Sequence, residues 1–208
     1  MGVTAAVVLD CEFLTRKGAL GRHWCGPFDP DPTVVQIGAV KLSLEDRYPD
    51  LATFERVVRP RDRFGAEVAI DPFLTDLTGL TPERIAQEGV DLGTALADLA
   101  SFAEGLTLWS WGKDELNLMA VSCYVAGIAP PVPADRFGNA ASLLLKAGMP
   151  QADIERTQSS GLPAYFGLPP RRAHDALEDA RSVAAVLRHL LQARRLGPQD
   201  IALRPSRT

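Results

Sequence analysis

The chain has 208 residues, 46% of them hydrophobic and 23% charged, with a formal net charge of −4. That is enough apolar material for one substantial core, and it excludes a disordered or fibrous chain. An acidic balance excludes a generally basic surface for nucleic acid or anionic membrane and leaves only a local basic patch open.

The N-terminal MGVTAAVVLD has no basic flank and its apolar run stops at Asp10, so it does not read as a secretory signal. No stretch approaches the roughly 20 apolar residues of a membrane span, and a soluble protein is expected. Cys11, Cys25 and Cys123 are too few and scattered for a disulfide framework or a zinc cluster. A reduced, cytoplasmic setting follows from that pattern.

In chain order, residues 4–12 and 34–42 are short β-branched runs, and FERVVRP is a third strand candidate ending at Pro60. Residues 14–33, rich in Gly, Pro and charge, form an unusually long connection between the first two: a rim loop with a task, or a mobile insertion. From Asp71 the period becomes helical. Pro72 suits a first turn, and Thr81 and Pro82 read as N-cap and N1. Residues 92, 95, 96, 99, 102 and 103 then line one face of a helix ended by Gly105. LTLWSW is a short strand candidate, and a helix follows from Asp114. Residues 130–170 are punctuated by Pro and Gly, with one short helix at 139–147. The last strong element runs from Ala176 to about Arg194, and 196–208 reads as a flexible tail. Strands, then helices, then a strand–helix pair predict an α/β sheet covered by helices.

Three acidic features stand out. In VVLDCEF, Asp10 and Glu12 are two apart on a strand, so they share one face while Cys11 turns to the other. Paired carboxylates repel, which raises a pKa or calls for a cation, and hard oxygen donors suit Mg²⁺ or Mn²⁺. In SWGKD, Asp114 lies at a strand–helix junction, where an acid serves as ligand or as cap. In HDALEDA, Asp175 and Glu178 have capping-box spacing, so the helix should start at Ala176. His174 then lies outside the helix and Asp179 in its opening turns, and the two can face one site from different elements.

The motifs DCEF, QIGAV, LTGLT, SWGKD and HDALEDA, in this order, resemble the DEDDh-type 3′→5′ exonucleases of the ribonuclease H-like fold, over about residues 4–192. SWGKD is most similar to the branch that includes histone-mRNA 3′-exonucleases. The resemblance implies a central mixed five-stranded sheet flanked by helices and one exonuclease domain over residues 1–195. It also implies that Asp10, Glu12, Asp114 and Asp179 bind two Mg²⁺ or Mn²⁺ ions, with His174 as general base; an imidazole ordinarily titrates near ~6.5. The activity implied is hydrolysis of phosphodiester bonds at the 3′ end of single-stranded RNA or DNA, releasing nucleoside 5′-monophosphates. Phe13 and Leu14, where many relatives carry a small polar stretch, are candidate substrate contacts together with Lys113 and Arg172. Arg16, Lys17, Arg22 and Arg171 offer a local phosphate-tracking rim, and Trp24 and Phe28 could stack on bases. Two other readings stay open: a non-catalytic nucleic-acid-binding or adaptor domain of the same fold, and a small-nucleotide phosphohydrolase.

Overall fold

The computed structural model describes residues 4–202; the last part of the expected tail, 203–208, lies outside them. Strands β1 (Ala5–Phe13), β2 (Val34–Ser43) and β3 (Asp50–Val57) lead into helices α1 (Pro72–Thr78), α2 (Pro82–Glu88) and α3 (Leu92–Ala103). Strand β4 (Leu108–Ser110) is followed by α4 (Asp114–Ala126), and β5 (Phe137–Asn139) by α5 (Ala140–Lys146). Short helices α6 (Gln151–Ile154) and α7 (Leu162–Tyr165) precede α8 (Ala176–Gln192) and α9 (Pro198–Ala202).

The sheet order is β3-β2-β1-β4-β5, antiparallel across β1–β3 and parallel on the β4–β5 side. This is the mixed five-stranded sheet flanked by helices that the motifs imply. Ala6, Val8, Val40 and Leu42 bury one face of it against α8 and α5. Val7, Leu9, Cys11 and Ala39 bury the other against α3 and α4. The period-two reading of β1 therefore holds: Asp10 and Glu12 continue the α8 side, and Cys11 faces away. A third cluster joins Leu14, Val35 and Val57 to α1 and α2.

The capping signals are realised as hydrogen bonds. Asp71 accepts from Phe73 N–H, Thr81 from Arg84 N–H, and Asp175 from both Leu177 and Glu178 N–H, so α8 begins at Ala176. Three expectations change. Strand β3 starts at Asp50, ahead of the apolar pattern, because backbone pairing with β2 carries its exposed first half. The three-residue β5 is too short for periodicity to reveal. Residues 198–202 are helix rather than flexible tail, because Ile201 is fully buried and its carbonyl accepts the Trp109 indole N–H at 3.0 Å. No helix among the described residues is long and apolar enough to cross a membrane.

One glycine sets how closely α8 can approach the sheet. A Cβ at Gly38 would lie 2.2 Å from Leu177 N and 2.3 Å from Ala176 C, backbone atoms that cannot rotate away. Gly38 is also the cross-strand partner of Asp10. The variant Gly38→Ala is expected to lose about 1–3 kcal/mol of stability, seen as several degrees in Tm by thermal denaturation. An unchanged Tm would contradict this packing.

Candidate active site

The site forms where β1 and β4 end side by side, and each of its groups has a separate structural cause. Alternation along β1 aims Asp10 and Glu12 at α8. Asp10 is 8% exposed and Glu12 half-buried. The capped start of α8 delivers Asp179, which is 4% exposed. His174 stands just before the cap with φ +59°, a left-handed backbone that a non-glycine residue rarely adopts. Its own N–H donates to Asp179 Oδ2 at 2.8 Å, which holds that conformation in place. Donor atoms of Glu12, His174 and Asp179 lie within 4.8 Å of one another.

At the start of α4 the structure exposes the expected acid and buries its neighbour. Asp114, at the first position of α4, is exposed, whereas Glu115 is 5% exposed and close enough to Asp10 to raise its pKa. One residue along a helix is a turn of about 100°, enough to exchange a solvent-facing side chain for a buried one. Glu115, rather than the expected Asp114, is thus the acid that the start of α4 buries. The sequence carried a signal for it, since an acid follows an acid in DE at this junction, but only the helix phase separates the two.

The electrostatics are those of like charges short of a counterion. Burial, then Glu115, Asp179 and Glu12, hold Asp10 well above the ordinary carboxylate range. Burial, then Asp179 and Asp175, push Glu12 up to about 8. Glu115 rises to about 7 by burial, opposed by hydrogen bonds from its own backbone and from Ser110. Asp179 is raised by burial, against the pull of the His174 N–H. Among the described residues, no lysine or arginine offsets the repulsion at Asp10 or Glu12. Two carboxylate oxygens, Glu115 Oε2 and Asp179 Oδ1, are buried with no hydrogen-bond partner among the described residues. Buried acceptors without donors are costly. Their presence in a convergent set of carboxylates fits a hard divalent cation.

The remaining expected contacts divide. Leu14 is 3% exposed and packs into the third cluster, and Phe13 is half-buried against the second. Leu14 offers no exposed face, because the β1 chain turns inward to pair Leu14 N–H with Thr33 O at 2.7 Å. Lys113 is exposed beside Asp114. Arg172 donates to Thr78 O at 3.0 Å, and a Cβ on Gly79 would strike it at 2.1 Å. Arg172 thus ties the His174 segment to the LTGLT turn. Buried Gln36, opposite Glu12 in register, was not singled out by sequence. It donates to Glu55 at 2.9 Å, and its Oε1 accepts from Ala176 N–H at 3.4 Å, steadying the start of α8.

Comparison with family models and with curated proteins finds no match. Solved structures do match. The nuclease domain of 3′hExo, a DEDDh family member, bound to rAMP, superposes with a TM-score of 0.75 at 16% identity, covering 91% of this chain and 92% of that one. A 3′-exonuclease in 3′-end-specific recognition of a histone mRNA stem-loop gives 0.71 at 17%, covering 93% and 84%. E. coli exonuclease I with single-stranded DNA gives 0.62 at 14%, covering 92% of this chain but 41% of that one. The chain has the fold of the DEDDh exonuclease nuclease domains.

Two measurements check the site. Glu115→Ala should weaken Mn²⁺ binding, read by calorimetry, by at least the roughly 10–100-fold that loss of an outer-shell partner costs, while Asp114→Ala leaves it unchanged. The reverse ranking would restore Asp114. Metal-free protein in EDTA should lose Tm as pH rises from 5 to 8. With Glu12 near 8 and Glu115 near 7 in the folded chain, the folded state holds more protons than the unfolded one across this window, and stability falls as they leave. Added Mn²⁺ should restore more Tm at pH 8 than at pH 5.

Proposed function

We propose that this protein is a metal-dependent 3′→5′ exonuclease acting on single-stranded RNA or DNA and releasing nucleoside 5′-monophosphates. The observation that carries the reading is the convergence of Asp10, Glu12, Glu115 and Asp179 with two unpartnered buried oxygens, on a fold shared with 3′-exonucleases. His174 supplies the remaining function, a proton acceptor within 4.8 Å of two of the carboxylates.

The four acids would hold two divalent ions, Mg²⁺ or Mn²⁺. Such ions when bound polarise the phosphoryl oxygens and stabilise the attacking and leaving oxygens of an in-line displacement. The protein's own share is positional. Strand alternation fixes Asp10 and Glu12, the capped α8 fixes Asp179, and the Asp179-to-His174 hydrogen bond fixes the imidazole's backbone. His174 takes the proton of the attacking water, and the same group can return a proton to the departing 3′-oxygen. The unit reads as one exonuclease domain over residues 1–195, extended by α9, with a cytoplasmic location resting on the cysteine pattern.

Labelled RNA and DNA oligonucleotides should give ladders shortened from the 3′ end, lost in EDTA and recovered with Mg²⁺ or Mn²⁺. Asp10→Ala and His174→Ala are each expected to lower kcat by about 10²–10⁴-fold. Full activity of purified Asp10→Ala would overturn the reading. Turnover confined to mono- or dinucleotides would favour the small-nucleotide phosphohydrolase instead.

A further inference from the structure

Four aromatic side chains are exposed among the described residues, and three of them, Phe28 at 80%, Phe64 at 88% and Tyr124 at 88%, are carried by segments that border shared clefts. Such exposure of large rings on neighbouring segments is unusual for a surface with nothing to meet. The elements that carry them are ordered. Phe64 sits at the tip of a small hairpin in which Arg61 bridges Glu67 and Asp62 Oδ1 accepts from both Phe64 and Ala66 N–H at 2.9 Å. Gly65, at φ +83°, makes the turn. Phe28 is held in residues 14–33 by Arg16, which donates to its carbonyl at 2.8 Å. Trp24 of the same loop donates to Leu14 O at 3.1 Å, so its ring is turned inward.

The two loops are joined. Arg63, next to Phe64, donates through Nε to Asp31 Oδ2 at 3.1 Å, and a cleft of about 250 Å³ between them runs from Asp29 and Asp31 past Leu14 to Phe64. Tyr124 lies on α4, whose Ser122 and Val125 line a second cleft together with Arg61 at the base of the hairpin. In each ion pair made by residues 14–33 the arginine is the more exposed member: Arg63 62% against Asp31 26%, Arg22 47% against Asp29 2%, Arg16 41% against Asp71 33%. An acidic protein thus turns guanidinium groups outward where its aromatic rings are bare. Both loops also spring from the active-site end of the sheet. Residues 14–33 begin two positions after Glu12, and β3 ends at Val57, whose partner Gln36 pairs with Glu12.

We propose that Phe28, Phe64 and Tyr124, carried by the two loops that Arg63 joins and by the neighbouring α4, form a stacking platform for unpaired bases of a single-stranded nucleic acid. Those bases lie upstream of the nucleotide at the carboxylate site, a placement that rests on the exonuclease reading. Rings accept any base face without reading its edge, and guanidinium groups take the intervening phosphates, so the platform confers grip and strand-length preference rather than sequence preference. A peptide or a second copy of the chain would not call for the outward arginines.

The test uses the double variant Phe28→Ala/Phe64→Ala, whose rings are exposed enough to leave folding intact, and Phe64→Trp as the conservative variant. Fluorescence anisotropy of a labelled 8-nucleotide single strand should show Kd raised roughly 10- to 100-fold in the double variant and kept in Phe64→Trp. Arg63→Gln should flatten the salt dependence by about one phosphate contact. Hydrolysis of a dinucleotide and of a p-nitrophenyl phosphodiester should be unchanged in all three. Wild-type Kd in the double variant overturns the platform, as does equal loss on the dinucleotide, or loss of a concentration-dependent dimer. Single-strand binding that needs these rings in a protein that cleaves no phosphodiester keeps the platform and overturns the exonuclease reading.

Discussion

The carboxylates of Asp10, Glu12, Glu115 and Asp179 repel one another where little water is left to screen them, and much of the architecture is what is needed to hold them there. Among the described residues no lysine or arginine relieves Asp10 or Glu12. The cost is met by the packing on both faces of the sheet, where apolar strands under α8, α3 and α4 hold the chain ends in place. Gly38 is a point of close approach in this arrangement: α8 lies against the strand at the residue that pairs with Asp10, and a single methyl group would separate them.

Much of this was legible in the sequence because it depends on local periods. Alternation along β1 put Asp10 and Glu12 on one face, and the Asp175/Glu178 capping box set the start of α8, from which the placement of His174 and Asp179 follows. What could not be read depends on phase or on partners distant in the chain. Asp114 and Glu115 are chemically near-equivalent, and which of them turns inward is decided by the rotation of α4 against β4. Strand β5 is held by pairing with β4, and α9 by the contact of Ile201 with Trp109; neither carries a pattern of its own. Leu14 looked available because it follows the acids, but the inward turn of the chain toward Thr33 buries it.

The long connection after β1 also acquires a role that its composition only outlined. Glycine, proline and charge suggested a rim with a task or a loose insertion. The hydrogen bonds of Arg16, Arg22 and Trp24 make it an ordered element, and the Arg63–Asp31 pair joins it to the hairpin beyond β3. Its apolar residues divide accordingly: Leu14 and Ala19 go inward, and Phe28 is held out.

The hydrogen bond from the His174 backbone to Asp179 links two groups that chemistry would otherwise treat as separate parts. An unpaired oxygen of Asp179 faces the other acids while its second oxygen fixes the left-handed turn that carries the imidazole. Removing Asp179 therefore removes a charge and also releases the residue before the helix. The losses in Asp179→Ala and His174→Ala then overlap instead of summing, and a double-mutant cycle across this pair reports one shared unit of structure rather than two independent contributions.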